Sequence, residues 1–220
     1  MFDSHAKIVW LVYPPGFGGD QLYWLLNQTG KFCYLTQGWS RLTDHGKRLV
    51  EDLFEFKFQQ KNAAGRDLTT LAGIDELVDV MNSLVIKPED VNDWHLPVIL
   101  KTHQHHYFDQ YLLEKISPGC KIIYMISNSG NEYRYLQMAL KKNQEFPWMQ
   151  TAHPPRELFE AACRRLAFQY ATAHAVDVDL FFNNDAMMWQ KLFEYLELDI
   201  DPQLTMNTHA EYVALQEKFK

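Results

Sequence analysis

Short apolar runs alternate along this chain with polar, glycine- or proline-bearing breaks. Ile8 to Tyr13 is an apolar run rich in β-branched and aromatic residues, which predicts a buried strand. Pro14-Pro15-Gly16-Phe17-Gly18-Gly19 interrupts it, and Leu22, Leu25 and Leu26 follow at helical spacing up to a stop at Gly30. Phe32 to Leu35 reads as a short strand. Leu49, Val50, Leu53 and Phe54 make one helical stripe. Ile74, Leu77, Val78, Met81 and Leu84 make another, capped at Thr69 or Thr70 and ended by Pro88. Leu96 to Leu100 predicts a second buried strand, Tyr107 to Ile116 a helix, Cys120 to Ile126 a third strand, and Asn131 to Lys142 a helix. Glu157 to His174 predicts the longest helix, with Phe159, Cys163, Leu166 and Tyr170 on one face. Val176, Val178, Leu180 and Phe182 alternate with Asp177, Asp179 and Phe181, the period of a strand. Asn183-Asn184-Asp185 caps a final helix from Ala186 to Leu196, and the last 20 residues carry no strong pattern.

Strands separated by helices at this spacing predict an α/β fold, a mainly parallel sheet flanked by helices on both faces. With 220 residues and 47% hydrophobic content, one domain spanning 1–220 is the expectation. The net charge of −7 argues against general nucleic-acid or anionic-membrane binding. Cys33, Cys120 and Cys163 are odd in number and unclustered, which favours a reducing, cytoplasmic compartment over a disulfide scaffold. The start, MFDSHAK, lacks a signal pattern, and no apolar run reaches transmembrane length, so no membrane anchor is expected.

Strand, glycine-rich turn and helix together aim free backbone N–H groups at an anion. In sheets of this class ligands sit beyond the carboxyl ends of strands. The turn at 14–19, the triplet at 101–103 and the turn at 127–130 all follow strands, so one pocket is expected to gather them. The first turn is no Walker loop, because Gly18-Gly19-Asp20 stands where Gly-Lys-Ser/Thr is needed. It is no dinucleotide fingerprint either, because Gln21 holds the third glycine's place. Asp20 suits the helix dipole but repels an anion. In Lys101-Thr102-His103, His103 is a candidate general base and Lys101 a source of positive charge; the plainer reading is a surface lysine and a satisfied histidine. His103-Gln104-His105-His106 invites a metal, but no Cys, Asp or Glu lies close by, and no metal is expected. Tyr13, Trp24, Trp39 and Trp148 are candidates for an acceptor or adenine pocket, though aromatics in an α/β protein more often fill the core.

Taken together, four segments resemble the sulfotransferase family of P-loop proteins, in order and over most of the chain. KIVWLVYPPGFGGDQLYWLL resembles the phosphosulfate loop, usually Tyr-Pro-Lys-Ser-Gly-Thr-Thr-Trp. LPVILKTH resembles the strand carrying Lys-Thr-His. CKIIYMISNSGNEYRY resembles the strand and turn for the donor 3′-phosphate, usually Lys-Ile-Ile-Tyr-x-x-Arg-Asn-Pro with a later Ser. FFNNDAMMWQKLFEYLELDI resembles the late strand and helix. The resemblance implies a three-layer P-loop-like fold and sulfuryl transfer from PAPS, leaving PAP, to a hydroxyl or amine on a small-molecule or glycan acceptor. It implies His103 as base, Lys101 beside it, a donor site at Gly16, Phe17, Gly18, Gly19, Ser127 and Asn128, and no metal. The departures fall on the chemistry. Pro15 or Gly16 replaces the donor-loop lysine, Ser127 the arginine and Tyr135 the serine, while Arg134 lies one residue away as a substitute base. Two lost charge-assisted hydrogen bonds weaken donor binding by roughly 3–6 kcal/mol. A non-catalytic binding or structural protein on the same fold, or more distantly a nucleotide kinase, is the alternative.

Overall fold

The computed structural model describes residues 8–33, 93, 95–103, 110–142, 155–170 and 172–218. The expected helices over 49–57 and 69–84, Leu35, Trp39, Trp148, and His105 and His106 lie outside the described residues. Four strands form one parallel sheet: β1 (Ile8–Tyr13), β2 (Val98–His103), β3 (Lys121–Ile126) and β4 (His174–Asp177), in the order β2-β1-β3-β4. Val9 to Tyr13 are all buried, as residues facing both ways from an interior parallel strand must be. β4 pairs with β3 from His174 opposite Ile123 to Asp177 opposite Ile126.

Helices follow the strands. α1 (Gly19–Gln28) buries Leu22, Leu25 and Leu26, and Gly30, at φ 70°, takes the chain out of it. α2 (Gln110–Ile116) precedes β3, and α3 (Glu132–Lys142) and α4 (Arg156–Gln169) separate β3 from β4. Phe159, Cys163, Leu166 and Tyr170 are all buried, the face the periodicity predicts. α5 (Val178–Phe182), α6 (Ala186–Leu196) and α7 (Pro202–Lys218) complete the chain.

The chain divides into two compact units, each discontinuous. Among the described residues, one holds 8–10, 30–33, 93, 95–101 and 110–121. Its core includes Trp10, Phe32, Ile99 and Leu113, and the Trp10 indole N–H donates to Ser117 Oγ at 3.3 Å. The other holds 11–29, 102–103, 122–142, 155–170 and 172–218, with Leu22, Ile123, Leu166, Phe181, Trp189 and Leu192 in its core. The carboxyl ends of all four strands belong to this second unit. Among the described residues no helix is long and apolar enough to cross a membrane.

The strand expected over 177–182 is a helix from Val178. Asp177 ends β4 and caps α5, its carboxylate accepting the Asp179 N–H at 2.9 Å. That bond bends the chain out of the sheet, and the buried pair becomes Val178 and Phe181, three apart, while Leu180 is 42% exposed. The helix expected to run to His174 stops at Gln169, since β4 claims His174 for the sheet. The segment without pattern near the C-terminus is α7; Asp201 accepts the Gln203 N–H at 2.9 Å and Pro202 occupies the first helical position. Residues 31–33 are not a strand.

α6 begins where the sequence places it. Asp185 accepts the Met188 N–H at 2.8 Å, and α6 carries Trp189, Leu192 and Phe193 into the core. Asp185→Ala should lower the unfolding free energy by about 0.5–2 kcal/mol, read as an earlier urea midpoint with unchanged slope.

Candidate functional site

The strand order reverses at β1: the chain passes from β1 to β2 on one side, then to β3 on the other. In open parallel sheets the crevice beyond the carboxyl ends at such a reversal takes the ligand. The turns leaving β1 and β3 both lie in the second unit and are linked through Tyr135 and Asp179.

The first turn is held by its own packing. Phe17 N–H donates to Pro14 O at 3.2 Å, and the Phe17 side chain is fully buried, its ring edge-on to Tyr135 at 5.9 Å. Gly16 (φ 90°) lies so close to α3 that a Cβ there would stand 2.6 Å from the Tyr135 carbonyl oxygen. Gly18 (φ 75°) faces the rings of Phe182 and Phe181, where a Cβ would meet Phe182 at 2.9 Å. Glycine is required at both positions, by backbone conformation and by space. Gly18 opens α1 without a side-chain cap, and Asp20 in the first turn accepts the Tyr13 hydroxyl at 2.8 Å. An anionic side chain thus already complements the dipole of α1. Tyr13 is buried, and Trp24 packs on Tyr212 at 5.1 Å, so both serve packing.

The second turn converges on a carboxylate. Asp179 accepts from Ser129 Oγ at 2.6 Å, from Ser127 Oγ at 3.3 Å and, in a short bond, from the Tyr135 hydroxyl. Asn131 donates to Ser129 at 2.6 Å, and Asn128 Nδ2 donates to Asp177 at 2.7 Å. Burial pushes the Asp179 carboxyl up, but the bonds from Ser129, Tyr135, Ser127 and Asn131 together outweigh it and hold the group below the usual carboxylate range. Burial, and then the bond to Asp179, push the Tyr135 phenol well above its ordinary value. Phe182 stacks on Tyr135 at 5.4 Å and is 39% exposed.

Of the expected site residues, the second unit brings together Gly16, Phe17, Gly18 and Gly19 on the first turn and Ser127 and Asn128 on the second. Arg134 is exposed on α3. β2 ends on Lys101-Thr102-His103; Lys101 is half-buried, and the His103 side chain lies outside the described residues. Asp177 and Asp179 have no site role in the sequence reading, Ser129 enters only as part of the 127–130 turn, and Tyr135 only as a departure at the family's serine position. Their signal is Asp-x-Asp after a strand, opposite a Ser/Asn-rich turn that lacks arginine. Among the described residues no three His, Cys, Asp or Glu form a metal-ligand group. Burial raises the Cys33 and Cys120 thiols to about 11 and Cys163 to about 12, so all three are protonated at neutral pH.

Of the side chains assigned to a PAPS 3′-phosphate, Ser127 and Asn128 already donate to carboxylates and do not fit the donor as they stand, while Arg134 is exposed. No family model matches the chain, and no curated protein is significantly similar to it.

Two outcomes follow. Gly16→Ala should cost about 2–5 kcal/mol of stability, from the left-handed backbone and the clash with α3. Gly30→Ala, where nothing lies within 4 Å, should cost only about 1–2 kcal/mol in the same urea titration. The Asp179 carboxyl is held below its unfolded value of 3.8. Its contribution is therefore fully present above that pH and is lost as pH falls below it. Tyr135→Phe should destabilise by up to about 1.5 kcal/mol at pH 7, the low end for a charged, half-exposed bond. That gap should shrink toward zero near pH 2.

Proposed function

We propose that this chain is a sulfotransferase-like protein, with the three-layer P-loop-like architecture, that has lost its donor site and acts as a binding or structural protein. One observation carries the reading: Ser127 and Asn128, assigned by resemblance to the donor 3′-phosphate, donate instead to Asp179 and Asp177. An anion seated on those donors would meet two like charges. At roughly 4 Å each costs about 4 kcal/mol near a protein surface, close to three decades in affinity. Phe17 and Gly16 pack the first turn against α3, where the family has its phosphate-binding lysine. The net charge of −7 supports a partner other than nucleic acid, and the three free cysteines support a cytoplasmic setting.

A second reading, PAPS-dependent transfer to a hydroxyl or amine of a small molecule or glycan, is favoured by the position of His103. β2 extends to His103, so this residue stands at the same carboxyl edge as the 14–18 turn. There it would take the acceptor's proton, and the N–H groups of Gly16, Gly18 and Gly19 would hold developing negative charge.

Calorimetric titration with PAP separates the two. The proposal expects no saturable heat up to millimolar PAP. Sub-micromolar binding that Arg134→Ala abolishes would overturn it. In that event His103→Ala should cut transfer by about 10²–10⁴-fold and leave PAP binding unchanged.

A further inference from the structure

α7 is seated through polar side chains. Thr205 and His209, one turn apart, are its fully buried residues among those described, at 4% and 1% exposure, while Leu204 and Val213 face outward. His209 packs its ring against Phe181 of α5 at 5.2 Å and Trp189 of α6 at 6.3 Å. Neither ring nitrogen has a hydrogen-bond partner among the described residues. The neighbouring polar groups are committed elsewhere. The Trp189 indole N–H donates to Asn184 Oδ1 at 2.9 Å, and Asn184 Nδ2 donates to the Met206 carbonyl at 2.9 Å.

Among the described residues no carboxylate pairs with the imidazole, whose only perturbation is burial. On α1, Asp20 accepts from Tyr13. On α5, Asp179 accepts from Ser127, Ser129 and Tyr135. On α6, Glu194 accepts from Gln190, Lys191 lies near His174, and Tyr195 stacks on His174; Asp185 caps the helix. On α7 itself Glu211 is exposed, and Tyr212 packs on Trp24. A proton on His209 would therefore be a buried charge with no counter-ion among the described residues, the costliest state for an ionisable group.

We propose that His209 is a pH-sensitive latch: neutral, it seats α7 against α5 and α6; protonated, it releases the helix. Burial holds the imidazole below its ordinary value, so the seated helix binds fewer protons than the released one. The sign follows: seating is at full strength above the ordinary histidine value of 6.5 and weakens as pH falls below it. If the seated ring takes no proton over the range, the opening equilibrium rises about 30-fold between pH 7.5 and 5.0. Phe181 also lies against Gly18, so release of α7 uncovers one wall of the first turn.

Hydrogen exchange by mass spectrometry on the full chain, corrected for intrinsic rates, tests the latch. Peptides covering 202–218 should open about 30-fold more at pH 5.0 than at pH 7.5, while β1 and β3 stay protected. His209→Phe and His209→Gln should each flatten that dependence. Should both variants fail to fold, NMR titration of the wild-type imidazole replaces them: its protonation must fall below 6.5 and coincide with loss of α7 protection. The proposal is overturned by pH-independent protection of 202–218. It is equally overturned by an unchanged dependence in a folded variant, which would assign the effect to another group such as His174. A ring that titrates at its ordinary value with α7 still protected also overturns it.

Discussion

The carboxylate of Asp179 ties together the segments that leave β3 and β4. It receives hydroxyls from both serines of the turn after β3 and from Tyr135 on α3, and its own N–H is held by Asp177. Bonds to an ionised acceptor are about twice as strong as neutral ones, so this hub fixes the angle at which α3 and α5 depart from the sheet. Tyr135 then presents one ring edge to Phe17 and one face to Phe182. The first turn is positioned by those contacts, with Gly16 pressed onto the backbone of α3. The fold and the functional reading depend on the same interaction: donors that bind Asp179 and Asp177 are not available to a phosphate.

The geometry of strand, turn and helix is present here without the Gly-Lys-Ser/Thr of a Walker loop. A helix N-terminus attracts negative charge whatever its source. In this chain Asp20 provides that charge from within, and aromatic packing orders the turn. Scaffold and activity are separable in a fold that carries many functions.

Much of the scaffold was legible in the sequence because its signals are local. The β-branched runs at 8–13 and 121–126 leave few alternatives to buried strands, and Asp185 marks the start of α6. The misses have local causes too. Val176, Val178 and Leu180 alternate with Asp177, Asp179 and Phe181 as a strand would, but Asp177 captures the Asp179 N–H and the period of two loses to a cap. α7 carries no hydrophobic rhythm because its buried residues are Thr205 and His209 rather than aliphatic. Ser127 and Asn128 enter the expected site through the resemblance to the 3′-phosphate turn. Their true partners lie some 50 positions away, and no spacing rule links a turn to an Asp-x-Asp beyond the next strand.

On the proposed reading Asp179 stands ionised in this site and keeps its donors from any anion. Carbon-13 NMR titration of the Asp179 carboxyl, with and without millimolar PAP, tests this. The carboxyl should titrate below the ordinary carboxylate range, and PAP should leave it unmoved. A carboxyl titrating at its ordinary value, or one that PAP drives upward as a neighbouring anion must, would contradict it.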